Sequence, residues 1–240
     1  MPEDIKTAMP LLEEALSLQP DYAIAHALIA WCYELRFARA GLDENDKAAA
    51  LHHAHATLAS GTDDAMALAV AGFVAYLLGK DHAAALSAID RALSLNPSCA
   101  TALYLGAQSN ALWGNGEKAV SFANRALRLS PFDPLAFEAH LAFGATAMAG
   151  ERYEEAASHF AKVIEIRPNF STGYLQRAAA LALGGHTAEA TSDAARGLEL
   201  EPTFQNRVYY QWVMTPALSQ KFIGCWAYPN RCFSVVLPSV

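Results

Sequence analysis

Ala92-Leu-Ser-Leu-Asn-Pro97 decides the reading of this chain, because the phrase returns. It stands as Ala15-Leu-Ser-Leu-Gln-Pro20, Ala126-Leu-Arg-Leu-Ser-Pro131, Val163-Ile-Glu-Ile-Arg-Pro168 and Gly197-Leu-Glu-Leu-Glu-Pro202. The closing prolines lie 77, 34, 37 and 34 residues apart. Each phrase reads as the end of a helix, since proline cannot continue one and biases the residue before it towards extended backbone. The 77-residue gap holds two periods and a small insertion, so one degenerate repeat has lost its proline. That repeat ends at Leu58-Ala-Ser-Gly61, where glycine takes over as the helix stop.

Working outward from the phrase, each period carries a glycine near its middle: Gly79, Gly114, Gly150 and Gly185. A chain that must end one helix and start its antiparallel partner needs left-handed backbone there, which glycine adopts at low cost. Small residues follow at a fixed place in the second helix, Ala85, Ala119, Ala156 and Ala190. A second set comes seven residues on, at Ala92, Ala126, Val163 and Gly197. Seven residues are two helical turns, so both sets share one face, where small side chains let helices approach closely.

These residues resemble the tetratricopeptide repeat family, with its glycine late in the first helix, alanines in the second and a closing proline. The resemblance implies an all-α fold, a right-handed superhelical solenoid of antiparallel helix pairs over residues 1–202. Its parts are a half repeat at 1–20, a degenerate repeat at 21–61 and repeats at 64–97, 98–131, 132–168 and 169–202. Leu68, Leu103, Ala139 and Tyr174 replace the family's first-helix tryptophan, and single-residue insertions follow Gly79 and Gly150. The degenerate repeat is expected to hold a helix from Asp21 to about Ala40, a polar turn at 41–45 and a helix to about Leu58. Pro10 is expected to kink the opening helix or to mark its start. Residues 203–240 are expected to hold a short cap helix from Ala217 to about Ile223, begun by Thr215-Pro216, and an irregular tail.

A narrower resemblance rests on Leu129-Ser-Pro-Phe-Asp-Pro-Leu-Ala-Phe137, with Asp21-Tyr-Ala-Ile-Ala-His26 and Trp31. The stretch is similar to repeat regions that follow class III adenylate cyclase domains, or winged-helix regulators, in bacteria. That resemblance implies the regulatory part of a signalling protein, with two alternatives. One is a fragment of an adenylate or guanylate cyclase whose catalytic domain lies elsewhere, and the other is half of a transcriptional regulator. The opening half repeat is what such a fragment would show. The ending 225–240, with Trp226, Tyr228 and Phe233, fits no capping repeat and reads as a frameshifted terminus.

The composition narrows the chemistry. Hydrophobic residues make up 53% and charged residues 17%, which excludes a disordered chain. The net charge is −7 and the 17 basic residues are scattered, so a phosphate-gripping surface is not expected and nucleic acid is no partner. The uncharged stretch Ala65–Gly79 is too short to span a bilayer, which takes about 20 residues, and reads as a helix covered by neighbours on both sides. No secretory signal order opens the chain, so the expected location is cytoplasmic, with no membrane partner. Cys32, Cys99, Cys225 and Cys232 lack CxxC spacing and are expected as reduced thiols.

No catalytic motif emerges, and the chain is read as non-enzymatic with no cofactor. His52 and His55 lie one turn apart and could share a metal. No cysteine or carboxylate sits at partner spacing, so a polar helix flank is the better account and no metal is assigned. Gly114-Asn-Gly-Glu-Lys118 follows a helix and lacks phosphate-loop spacing, which makes it an inter-helix turn. Glu154 and Glu155 complement a helix N-terminus. In the family it resembles, first-helix residues line a concave groove. Mapped here, that lining includes Trp31, Phe73, Tyr76, Tyr104, Gln108, His140 and Met148. The set is mostly aromatic and aliphatic, so the expected partner is a protein or peptide with an apolar segment, or a second copy of the chain. The competing reading is that tight curvature buries these residues as core.

Overall fold

The computed structural model describes residues 3–39 and 43–202. They form eleven helices, with no strand among the described residues. In order these are α1 (Glu3–Leu18), α2 (Ala23–Arg39), α3 (Glu44–Ala59), α4 (Ala65–Gly79), α5 (His82–Leu95) and α6 (Ala100–Trp113). They continue as α7 (Gly116–Leu129), α8 (Ala136–Ala149), α9 (Tyr153–Ile166), α10 (Ser171–Leu183) and α11 (Thr187–Leu200). The chain divides into two compact units, Met1–Gly106 and Ala107–Val240, with the division inside α6. In the first, α1 packs on α2, α2 pairs with α3 and α4 with α5, and α3 joins the pairs through α4. In the second, α8 pairs with α9 and α10 with α11, while α7 lies on α8 and α9 on α10. The expected cap helix at 217–223, the tail at 225–240 and two of the cysteines lie outside the described residues.

The recurring phrase does two jobs. The residue before each proline is the helix C-cap and leaves helical geometry: Asn96, Ser130, Arg167 and Glu201 have φ −136°, −145°, −130° and −146°. Each cap N–H donates to the carbonyl four residues back, on Ala92, Ala126, Val163 and Gly197, the second small residue of its repeat. The proline then opens a four-residue turn, closed by Cys99 N–H on Asn96 O, Asp133 N–H on Ser130 O and Phe170 N–H on Arg167 O, at 3.0, 3.2 and 3.0 Å. Proline suits the second position of such a turn because its φ is preset. Phe132 sits at the turn's third position and is 98% exposed.

The small residues are where the helices touch. Ala85, Ala119, Ala156 and Ala190 are buried, as are Ala92, Ala126, Val163 and Gly197. Glycines in the facing helices leave no room for a side chain. A Cβ on Gly72 of α4 would stand 2.8 Å from the Ala88 Cβ of α5. One on Gly144 of α8 would run into the Phe160 ring of α9, and one on Gly197 would meet Leu175 at 2.6 Å.

Two turns differ from expectation. Gly114 and Gly185 are left-handed, with φ +92° and +88°. Gly79 instead ends α4 in helical geometry, and Lys80 takes the left-handed position at φ +55°. Gly150 has φ −86°, and Glu151 takes the position at +62°. These are the two repeats with an inserted residue after the glycine, and the insertion moves the left-handed site one place along the chain. The turn needs one such residue because the next N–H folds back over the helix end: Asn115 to Asn110 O, Arg152 to Ala147 O and His186 to Leu181 O. Nor does Pro10 end or start a helix, for α1 runs through it from Glu3 to Leu18. Pro10 itself is exposed, while Ile5 and Met9 hold the helix against Ile29, Cys32 and Tyr33.

Two measurements check this packing. Ala119→Glu will lower thermal stability by several kcal/mol, the scale of an unpaired buried charge, and a melt matching the parent would contradict the arrangement. Lys80→Gly and Glu151→Gly will each raise stability by about 0.5–1 kcal/mol, because left-handed backbone costs a side-chain-bearing residue about 1–2 kcal/mol and glycine's extra loss of chain entropy offsets part of that.

Candidate functional site

The first helix of each pair was expected to offer an open face. Helix α4 does not: every residue from Ala67 to Leu78 is buried. Its sequence is apolar all round, with no charged residue, and such a helix is stable only when covered on every side. Phe73 and Tyr76 are therefore 5% and 4% exposed, and burial lifts the Tyr76 hydroxyl well above the usual phenol range. The Tyr76 ring lies 4.8 Å from that of His82 at the start of α5. Helix α6 is sealed in the same way from Ala102 to Leu112, with Tyr104 at 0% and Gln108 buried. Met148 of α8 is buried too. These five residues are core rather than a lining that a partner could reach. Trp31 of α2 and His140 of α8 are half-buried and keep accessible surface.

In the second unit, besides the exposed Trp113 and Phe132, a cluster of rings on α8 and α9 stays partly open. His140, Phe143 and His159 are all half-buried. Phe143 lies 6.0 Å from His140 and 5.0 Å from His159 between ring centroids, and the two imidazoles are 5.7 Å apart. Their Nδ1 atoms approach to 3.4 Å. Burial pushes both histidines below their usual range; the neighbouring His159 and Lys162 add to this for His140, while Glu155 opposes it for His159. Nearby, Phe137 meets Phe170 edge to face at 5.4 Å, and the Arg167 guanidinium lies over the Phe137 ring at 4.9 Å. Neutral imidazoles beside phenyl rings make a surface that is uncharged and largely aromatic at neutral pH.

The first unit holds a related cluster. His26 of α2 and His53 of α3 meet Nδ1 to Nδ1 at 2.8 Å, and the Tyr33 ring stacks along His53 at 6.1 Å. Arg36 caps the Tyr33 ring at 5.1 Å and is held by Asp46 at 2.9 Å. His52 and His55 are exposed, and the His52 ring stands edge-on to His53 at 5.3 Å. Among the described residues, no group of three or more His, Cys, Asp or Glu is placed to hold a metal ion. Sequence reading missed both histidine contacts, because their members lie 27 and 19 residues apart on different helices. A signal was present: His53, His159 and Asp193 each stand three residues beyond a small buried residue of their helix, Ala50, Ala156 and Ala190.

Solved structures share this arrangement. Human IFIT1, solved as a dimer with m7Gppp-AAAA, superposes with a TM-score of 0.67 at 14% identity, covering 98% of this chain and 53% of its own. The chain thus spans about half the length of IFIT1. PilW, a type IV pilus biogenesis factor, gives 0.57 at 14% identity, covering 85% and 92%. A tetratricopeptide repeat protein from Parabacteroides merdae gives 0.54 at 19% identity, covering 95% and 82%. No protein-family model and no curated protein matches the sequence. At these identities the shared property is the fold, and the fold is the tetratricopeptide type: all-α, built of antiparallel helix pairs.

Because Tyr104 is core, Tyr104→Ala will lower stability by about 3–5 kcal/mol in a denaturant titration, the usual cost of emptying a large buried site. A variant that kept full stability would return Tyr104 to the groove.

Proposed function

We propose that this chain is a non-catalytic scaffold that binds a protein partner through an apolar segment. The observation that carries the reading is the half-exposed His140–Phe143–His159 cluster on α8 and α9. Partly covered aromatic rings on a rigid helix pair are the usual carriers of binding energy. The stack beneath them is fixed by close helix contacts, so the rings are presented without an ordering cost. Trp31 on α2 supplies a second half-exposed ring. Self-association through either ring site is the alternative occupancy.

Nucleic acid is the less favoured ligand, although the IFIT1 structure carries a capped oligonucleotide. Gripping phosphates takes free cations, whereas here Arg36, Arg152, Lys162, Arg177 and Arg196 are each tied to a carboxylate on their own or the paired helix. Catalysis is likewise disfavoured, since among the described residues no cluster of His, Cys, Asp or Glu is placed to hold a metal ion and no catalytic motif stands in the sequence. The likeness of 129–137 to cyclase-associated repeats supports placing the scaffold in a bacterial signalling protein. A missing cyclase or winged-helix domain is the corresponding alternative.

In fluorescence polarisation against a panel of labelled apolar peptides, His140→Ala with Phe143→Ala will weaken binding about 30-fold, or about 2 kcal/mol, with the helical signal unchanged. Equal affinity in the double variant would remove the ring cluster from the site. The purified chain given ATP and a divalent metal will form no cyclic nucleotide above a denatured control, and formation would overturn the non-catalytic reading.

A further inference from the structure

We propose that the His26–His53 contact is a proton-operated latch, holding α2 to α3 while both imidazoles are neutral and releasing them when either ring takes up a second proton. The geometry sets the proton count. His26 Nε2 lies 2.9 Å from the Pro20 carbonyl, which can only accept, so this nitrogen bears the hydrogen. Neutral His26 then has a bare Nδ1, and His53 Nδ1–H donates to it across 2.8 Å. Protonating either ring at its remaining nitrogen changes the contact differently. A proton on His26 Nδ1 sets two N–H groups head to head, while one on His53 Nε2 puts a cation in a half-buried site against Tyr33.

Of the carboxylates buried on these two helices, Asp46 is paired with Arg36, and neither it nor Glu34 adds to the charge felt by His53. His52 lies edge-on to His53 at 5.3 Å and Arg36 stands over the far side of Tyr33, already paired with Asp46. Helix α4, which packs on both α2 and α3, brings no charged side chain, its sole titratable group being Tyr76. Lys6, Glu13 and Glu14 of α1 are exposed. Burial, reinforced by His26 and His52, accordingly pushes His53 down to about 4. A folded value below the unfolded one, about 6.5, means that the contact stabilises fully above pH 6.5 and is lost as pH falls towards 4. The same helix position is used again in the second unit, where His159 faces His140, and at Asp193, which pairs with Arg177. The site is thus a recurrent cross-helix fastener that is titratable in two repeats and fixed in a third.

The test compares the full chain with His53→Asn. An asparagine amide can present either its N–H or its oxygen to His26, so the contact survives whichever state His26 adopts. Between pH 7 and pH 5, hydrogen exchange of α2 and α3 amides, corrected for intrinsic rate, will show opening increased on the order of tenfold in the parent and less than about twofold in the variant. Equal increases in both, or none in the parent, would overturn the latch. Should the variant fold poorly, imidazole NMR of the parent decides: His53 titrating well below 6 supports the latch, and titration near 6.5 overturns it.

Discussion

Two helices approach only as closely as their smallest facing side chains allow, and that limit organises this protein. Gly72 against Ala85 and Ala88, Gly144 against Phe160 and Gly197 against Leu175 are contacts with no space for another methyl group. Interiors are packed to near-crystalline density, so a gap or a clash of one methylene is felt. Everything else follows from these contacts. The caps that end each second helix bond back to its own small residue, and the prolines turn the chain at a fixed distance from it. A stack made this way draws its stability from neighbours rather than from one central core.

The same closeness moves the functional surface. A first helix that is apolar all round, such as α4, is consumed by packing and leaves no face for a ligand. Where polar or bulky residues interrupt the apolar run, side chains emerge, as at Trp31 and Tyr33 on α2, Trp113 on α6 and His140 and Phe143 on α8. Among these, Tyr33, His140 and Phe143 take part in ring pairs.

The fold was legible because its signals are local and repeated. The helix-ending phrase, the small residues seven apart and the mid-repeat glycines each carry their physical reason within one repeat. The position of left-handed backbone was misread at Gly79 and Gly150, since one inserted residue transfers the strain to Lys80 and Glu151. The groove was less legible. Equivalence of position placed Phe73, Tyr76 and Tyr104 on a lining, yet the uncharged run Ala65–Gly79 already described a helix covered on all sides, and that covering prevailed. The histidine contacts were fainter still, marked only by a shared place three residues beyond a small buried residue, because pairing across 27 residues depends on how two helices are rotated.

A double-mutant cycle at Gly72 and Ala88 tests the packing account most directly. Gly72→Ala alone should lose about 1–3 kcal/mol through overpacking, despite alanine's better helix propensity. Ala88→Gly alone should lose about 1 kcal/mol or slightly more. Combined, they should lose clearly less than the sum, since removing the Ala88 methyl makes the room that the new one needs. Additive losses, or a Gly72→Ala variant more stable than the parent, would show that close helix approach is not what holds the repeats together.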